Sequence, residues 1–139
     1  MNRIVIVHAG LRVPSSTKLL TDGFAAAMPE DDVRVVALRD HAHAIVDAML
    51  TGLVPDALAD VIGTVTGADA LVAVTPTFSA SFSGLFKSFF DILEPGVLKG
   101  MPVLLAATGG TARHSLMIDH SMRPMFASLG AQAVRTGVF

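Results

Sequence analysis

"DALVAVTPTFSASFSGLFKSFFDIL", Asp69 to Leu93, opens as a nearly continuous apolar run and ends with a different periodicity. The run to Thr75 is short and rich in Val, Leu and Ala, as a strand buried on both faces requires. Pro76 fixes its own φ and drives Thr75 into an extended conformation, so the strand is expected to stop at Thr75-Pro76. Beyond a polar connection, Phe82, Leu85, Phe86, Phe89 and Leu93 recur at the i, i+3, i+4, i+7 spacing of one helical face. The stretch therefore reads as strand, polar hinge and helix.

The same unit repeats along the chain. "RIVIVHA" from Arg3, "VRVVAL" from Val33 and "PVLLAAT" from Pro102 read as further strands, with "AQAVRTGVF" from Ala131 a weaker fifth. Helical periodicity fills Ser16 to Met28, Asp56 to Thr66, Phe82 to Leu93 and Ser115 to Leu129. Strands alternating with helices imply right-handed crossovers and an α/β fold whose parallel sheet is covered on both sides.

Composition agrees with that class. The 139 residues fit one domain, residues 1–139, and 52% are hydrophobic against 16% charged. Mean hydropathy is +0.61. No apolar run approaches the roughly 18 residues that span a bilayer, and "RIVIV" is too short for a signal-peptide core. The expectation is a soluble cytoplasmic chain with no membrane partner. Absence of cysteine removes disulfides, thiol catalysis and thiolate metal sites. A net charge of -2, with ten basic residues scattered along the chain, gives no footprint for nucleic acid.

Open parallel sheets bind ligands beyond the carboxyl ends of their strands. The loops at that edge are "HAGLRVPSST" (8–17), "TPTFSAS" (75–81) and "TGGTARHS" (108–115), all rich in Gly, Ser and Thr. Ser15, Ser16 and Thr17 open a helix, where hydroxyls either cap free N–H groups or join the helix dipole in holding an anion such as phosphate. Arg12 would add a charge-assisted contact. In the second loop Phe78, beside Thr77, Ser79, Ala80 and Ser81, offers a flat apolar surface with donors at its edge, suited to a planar heteroaromatic ligand. The competing reading folds Phe78 back to staple the next helix. In the third, Gly109 and Gly110 permit positive φ and close backbone approach, with Thr108, Thr111, Arg113 and His114 adjoining. There is no P-loop and no GxGxxG, which disfavours a nucleotide triphosphate or a classical dinucleotide site.

"ADALVAVTPTFSASFSGLFKSFFDIL" followed by "MPVLLAATGGTARHSLMIDHSMRPMFASLGA" resembles the NADPH-dependent FMN reductases, and more closely the branch that supplies reduced FMN to flavin-dependent monooxygenases. The family motif is carried by Pro76, Phe78, Ser79, Ser81, Gly84 and Lys87, with Asp91 one turn on. The resemblance covers Arg3 to Phe139, although Asp40 to Pro55 carries no family motif. It implies a flavodoxin-like three-layer sandwich with a five-stranded parallel sheet in the order 2-1-3-4-5. It also implies FMN phosphate at Ser15, Ser16 and Thr17 near Arg12, and the isoalloxazine against Pro76 to Ser81 and Thr108 to Thr111. NADPH or NADH would be the reductant, and the assembly a homodimer or homotetramer. Relatives usually continue past Phe139 into a final helix, so the last helix is expected to be missing and one sheet face uncovered: the chain is then a fragment, or its terminal region is disordered or unusual, and a partner subunit would cover the exposed face.

Hydride transfer between cofactors asks the protein for geometry and charge rather than for an acid or base. N–H groups of the Gly109-Gly110 loop, aided by Arg113, would meet the negative charge that grows as the ring is reduced. Without Trp or Tyr, an aromatic sandwich around the ring is disfavoured, leaving one face for a nicotinamide. An FMN-binding electron-transfer protein and a quinone or azo-compound reductase remain alternatives on the same loops. His114, Ser115, Asp119 and His120 lack the spacing and the GxSxG elbow of a hydrolase. His41 and His43 with Asp40 and Asp47 read as a solvated loop or helix start rather than a metal site. The Lys87–Asp91 pair reads as a surface contact or a structural role at the loop or a subunit contact. Met117, Met122, Met125 and Phe126 read as core or as a subunit contact. Phe89 and Phe90, being adjacent, are expected to face different surroundings, one of them another subunit.

Overall fold

The computed structural model describes residues 2–12 and 16–139, with the side chains at 112 and 113 outside that description. Five strands form a parallel sheet: β1 (Arg3–His8), β2 (Asp32–Ala37), β3 (Ala70–Phe78), β5 (Pro102–Thr108) and β6 (Gln132–Ala133). Their spatial order is β2-β1-β3-β5-β6, and a two-residue β4 (Ser81–Phe82) pairs antiparallel with the end of β3. Leaving aside that short addition, this is the expected 2-1-3-4-5 order. The helices are α1 (Ser16–Ala27), α2 (Ala42–Thr51), α3 (Asp56–Thr66), α4 (Gly84–Asp91) and α5 (Arg123–Ser128). Among the described residues, no helix is long and apolar enough to cross a membrane.

Alternating residues of the central strands feed two cores. Val5, Val7, Leu71, Ala73, Val103 and Leu105 meet Ile45, Leu58, Val65, Phe86, Phe90 and Phe126 on one face. On the other, Ile6, Val72, Val74 and Ala106 meet Leu20 and Phe24 of α1, the one helix contributing to that smaller cluster among the described residues. Val35 of β2 stays 48% exposed, as the thinner covering of this face leads one to expect.

Three expectations are corrected. First, β3 does not stop at Thr75-Pro76 but runs to Phe78, with Pro76 in register with Thr108 of β5. Val74 accepts at its carbonyl from Ala9, so Pro76, two residues on, turns its missing N–H to the same side, where β1 has already ended. No ladder bond is lost, and the proline is tolerated. Second, Phe89 and Phe90 are both buried, at 0% and 2% exposure. Phe90 packs on Phe86 and Phe126 with ring centroids 5.0 Å apart in each case, and Phe89 meets Phe90 edge-on. Third, the stretch from Ser115 to Leu129 is not one helix. A 3-10 turn (Ala112–Leu116) leads into a π-helical turn (Ile118–Met122) before α5 begins. Pro124 cannot donate to a carbonyl four residues back, and the turn widens so that the N–H of Arg123 reaches Ile118 O, five residues back. The segment after β2 holds a 3-10 turn (Leu38–His41) and all of α2, a helix not assigned from the sequence, with His41 at its N-cap position.

The last strand is interrupted. Gln132 and Val134 donate to the carbonyls of Met101 and Val103, and pairing resumes only where Val138 donates to Leu105 O and accepts from Ala107 N. Across the gap Arg123 donates through Nη1 to Val134 O at 2.7 Å and through Nη2 to Arg135 O, while its Nε donates to Asp119 Oδ1 at 2.7 Å.

Candidate functional site

At the carboxyl edge of the sheet the three loops enclose an open cleft of about 360 Å³, within the usual range for ligand pockets. Its first wall is Gly10, Leu11 and Arg12, its floor Ser16 and Thr17, its second wall Pro76, Thr77 and Phe78, and its third Thr108, Gly109 and Gly110. Sequence reasoning missed Gly10 and Leu11, although a glycine two residues after the first strand at that edge was a usable signal. Ser15 lies outside the described residues, as does the Arg113 side chain. Ser79, Ala80, Ser81 and Thr111 are not part of the lining.

Each wall has a local cause. Ser16 is the first residue of α1 and is exposed, whereas Thr17 is buried. The Thr17 and Thr108 hydroxyls share a hydrogen bond of 3.0 Å, which ties the start of α1 to the end of β5. On the second wall, Ser79 and Ala80 turn the chain with φ of 50° and 63° between the paired Phe78 and Ser81. Two left-handed residues in a two-residue hairpin match the right-handed twist of the strands. Phe78 is 42% exposed and faces the cleft, which removes the reading in which it staples the helix. Ser83 caps α4 instead: its Oγ accepts from Phe86 N at 3.2 Å, while its own N–H donates to Thr75 Oγ1 at 3.0 Å.

Thr77 carries an unusual group. Its Oγ1 is buried and, among the described residues, is the one buried side-chain polar atom without a hydrogen-bond partner. On the third wall, neither Gly109 nor Gly110 adopts positive φ, contrary to expectation. A Cβ at Gly109 would stand 2.7 Å from Phe139 Cζ, at the far end of that side chain, and 3.2 Å from His114 Cβ, so one of these neighbours would have to shift. Gly110 would meet nothing within 4 Å. Neither chain conformation nor packing demands a glycine at 110, so its bare backbone is available to whatever enters the cleft.

Charge around the cleft is sparse. Arg12 places a guanidinium on the first wall, and Lys18 and Asp22 pair at 3.0 Å on α1. His8, the last residue of β1, is buried, and its pKa is lowered from 6.5 by that burial and then by Lys18, against the opposing pull of Asp40 and Asp22. Among the described residues no group of three or more acidic or imidazole side chains is placed to hold a metal. Lys87 and Asp91 form an exposed pair at 2.7 Å, and Met117, Met122 and Phe126 are core residues.

Strand order, a cleft at the carboxyl edge and glycine- and hydroxyl-rich walls together define a doubly wound α/β protein with its crevice at the carboxyl edge of the sheet. Residues 2–139 match the NADPH-dependent FMN reductase family, and the chain belongs to it. It is 36% identical over 140 residues to an FMN reductase (NADPH) of Pseudomonas aeruginosa, covering 99% of this chain and 75% of that protein. It is 37% identical over 139 residues to the NADH-dependent FMN reductase SfnE of Pseudomonas putida, covering 98% and 75%. The crystal structure of an oxidoreductase from Corynebacterium diphtheriae superposes with a TM-score of 0.91 at 36% identity, over 99% of this chain and 80% of the other.

Proposed function

We propose that this chain is an NAD(P)H-dependent FMN reductase. The observation that carries the reading is the convergence on one cleft of an anion-friendly helix start, an exposed aromatic on a hairpin and a side-chain-free backbone at Gly110. The residues fit the flavin. Ser16 and Arg12 supply hydroxyl and guanidinium for a phosphate, the Phe78 ring supplies a flat apolar contact, and Gly109 and Gly110 leave backbone N–H groups within reach of a ring edge.

Bound FMN would supply the hydride-accepting chemistry, with NADPH or NADH as donor. The chain's part is to orient and to exclude water. Phe78 and Pro76 hold one edge in an apolar setting, and the Thr17–Thr108 bond keeps the phosphate end and the ring end at a fixed separation. N–H dipoles of the third loop lower the energy of negative charge near them. With neither Trp nor Tyr in the chain, a second aromatic covering is left to Phe side chains alone, and one ring face is free for the nicotinamide.

Reduced FMN would then pass to a flavin-dependent monooxygenase, and a homodimer or homotetramer is the assembly we infer. Mixing the purified chain with FMN and either nicotinamide, and following the nicotinamide absorbance, tests the activity. Oxidation of the nicotinamide that depends on FMN supports the reading; tight FMN binding with no oxidation of either nicotinamide turns it into an electron-transfer protein. Competition with quinones or azo compounds tests the acceptor.

A further inference from the structure

His8 closes β1 in register with Ala37 of β2 and Val74 of β3, and it is only 6% exposed. It shares its sheet face with Ile4 and Ile6, the side on which α1 packs. Its Nδ1 accepts from the backbone N–H of Gly10 across 3.5 Å. An accepting Nδ1 carries no proton, which leaves Nε2 as the protonated nitrogen of a neutral ring. Gly10, Leu11 and Arg12 form the first wall of the cleft, so this long bond, next to the backbone bond from Ala9 N–H to Val74 O at 3.0 Å, ties the end of β1 to that wall.

We propose that His8 is a positioning residue whose neutral imidazole holds the first loop in its ligand-binding position, so that acidification releases the loop and weakens flavin binding. A second proton would sit on Nδ1 and point at the Gly10 N–H, turning an attraction between donor and acceptor into a repulsion between two donors. The charged groups facing the ring are Lys18 and Asp22 on α1 and Asp40 in the turn after β2, while β3 presents the uncharged Val74. Burial and Lys18 both favour the neutral ring. The affinity consequence rests on the flavin reading above; the tether does not.

A simple charge effect predicts the opposite sign, because an imidazolium near the first loop would attract an anionic ligand. Two measurements on the full chain separate these cases. In the ligand-free protein, the Gly10 amide is followed by ¹H–¹⁵N NMR from about pH 8 to about pH 5, across the range where His changes charge. In parallel, FMN affinity is measured by flavin fluorescence for the wild type, His8→Asn and His8→Leu. Asn keeps an acceptor near the Nδ1 position and does not titrate. Protonation of the FMN phosphate affects wild type and Asn variant alike and cancels in their ratio. The Gly10 amide is expected to shift with a midpoint below 6.5 in the wild type and to stay fixed in the Asn variant. Wild-type affinity is expected to fall about two- to tenfold relative to Asn on acidification, the worth of one hydrogen bond, with Leu weak at every pH. A Gly10 amide that ignores pH, a constant affinity ratio, or a wild type that tightens relative to Asn overturns the proposal. Absence of FMN binding to any variant sinks the flavin reading and the affinity half of the proposal, while the Gly10 amide still decides the tether.

Discussion

Replacing Thr77 by Val tests the second wall of the cleft at its least comfortable atom. Thr77 Oγ1 is buried and has no partner, although the residue borders the cleft and its backbone pairs with Phe82. Valine keeps the branched shape and exchanges the hydroxyl for a methyl group. Burying an unpaired hydroxyl costs about 1–3 kcal/mol, so the ligand-free variant should be more stable by that amount. At the average unfolding entropy per residue, a chain of this length gains about 3–10 °C in Tm. The flavin arm has the opposite sign. If the hydroxyl turns to a ligand by one rotameric step about χ1, Val forfeits that bond and FMN affinity drops about five- to tenfold. Thermal unfolding by circular dichroism and an FMN titration on the same two proteins read both quantities. A Tm that stays level or falls means that the hydroxyl is satisfied in solution, and unchanged affinity removes Thr77 from the ligand's contacts.

Other substitutions divide folding from binding in the same manner. Gly110→Ala meets no neighbour and needs no positive φ, so its ligand-free stability should stay within about 0.5 kcal/mol of wild type while FMN affinity falls at least about tenfold; equal affinities would show that no ligand approaches that backbone. Gly109→Ala should cost stability through the 2.7 Å approach to Phe139 Cζ, and adding Phe139→Ala should restore part of it, a coupling that a double-mutant cycle in urea measures. Ser83→Ala leaves the buried Phe86 N–H without its cap and should lower stability by about 1–2 kcal/mol in the same assay. Because the His8 pKa is lowered in the folded chain, the unfolded chain binds that proton first as pH falls. Stability from this group is therefore present above 6.5 and is lost as pH drops below it, a slope that His8→Asn should remove from urea midpoints measured across pH.

Much of this fold was legible because the central strands are short, continuous Val-, Ile- and Leu-rich runs, whose length and β-branched content fit a sheet buried on both faces. The three cleft loops were legible for a related reason: the carboxyl edge of such a sheet is fixed by topology, and Gly, Ser and Thr collect there. What escaped depended on partners distant in sequence. Pro76 signals a strand end by local rules, and only the earlier termination of β1 makes it harmless. Phe89 and Phe90 cannot share one helical face, yet both find a core because Phe126, far along the chain, covers Phe90. Ser79 and Ala80 lack the Asn-Gly signature of their turn, so nothing local announced positive φ. Pro124 was a readable helix breaker, and the apolar spacing around it masked the change of pitch.

The Arg123 guanidinium, bound to Asp119 and to two carbonyls of the last strand, closes a circuit. The chain leaves the cleft at Gly110, travels out through the widened turn and α5, and comes back along β6 until Phe139 rests on Gly109. The third wall is thus held at both ends by the same stretch of polypeptide, as a hoop is held by its clasp. An alteration at the clasp is therefore expected to reach Gly109 by way of the Phe139 ring, without any residue of the cleft having been changed.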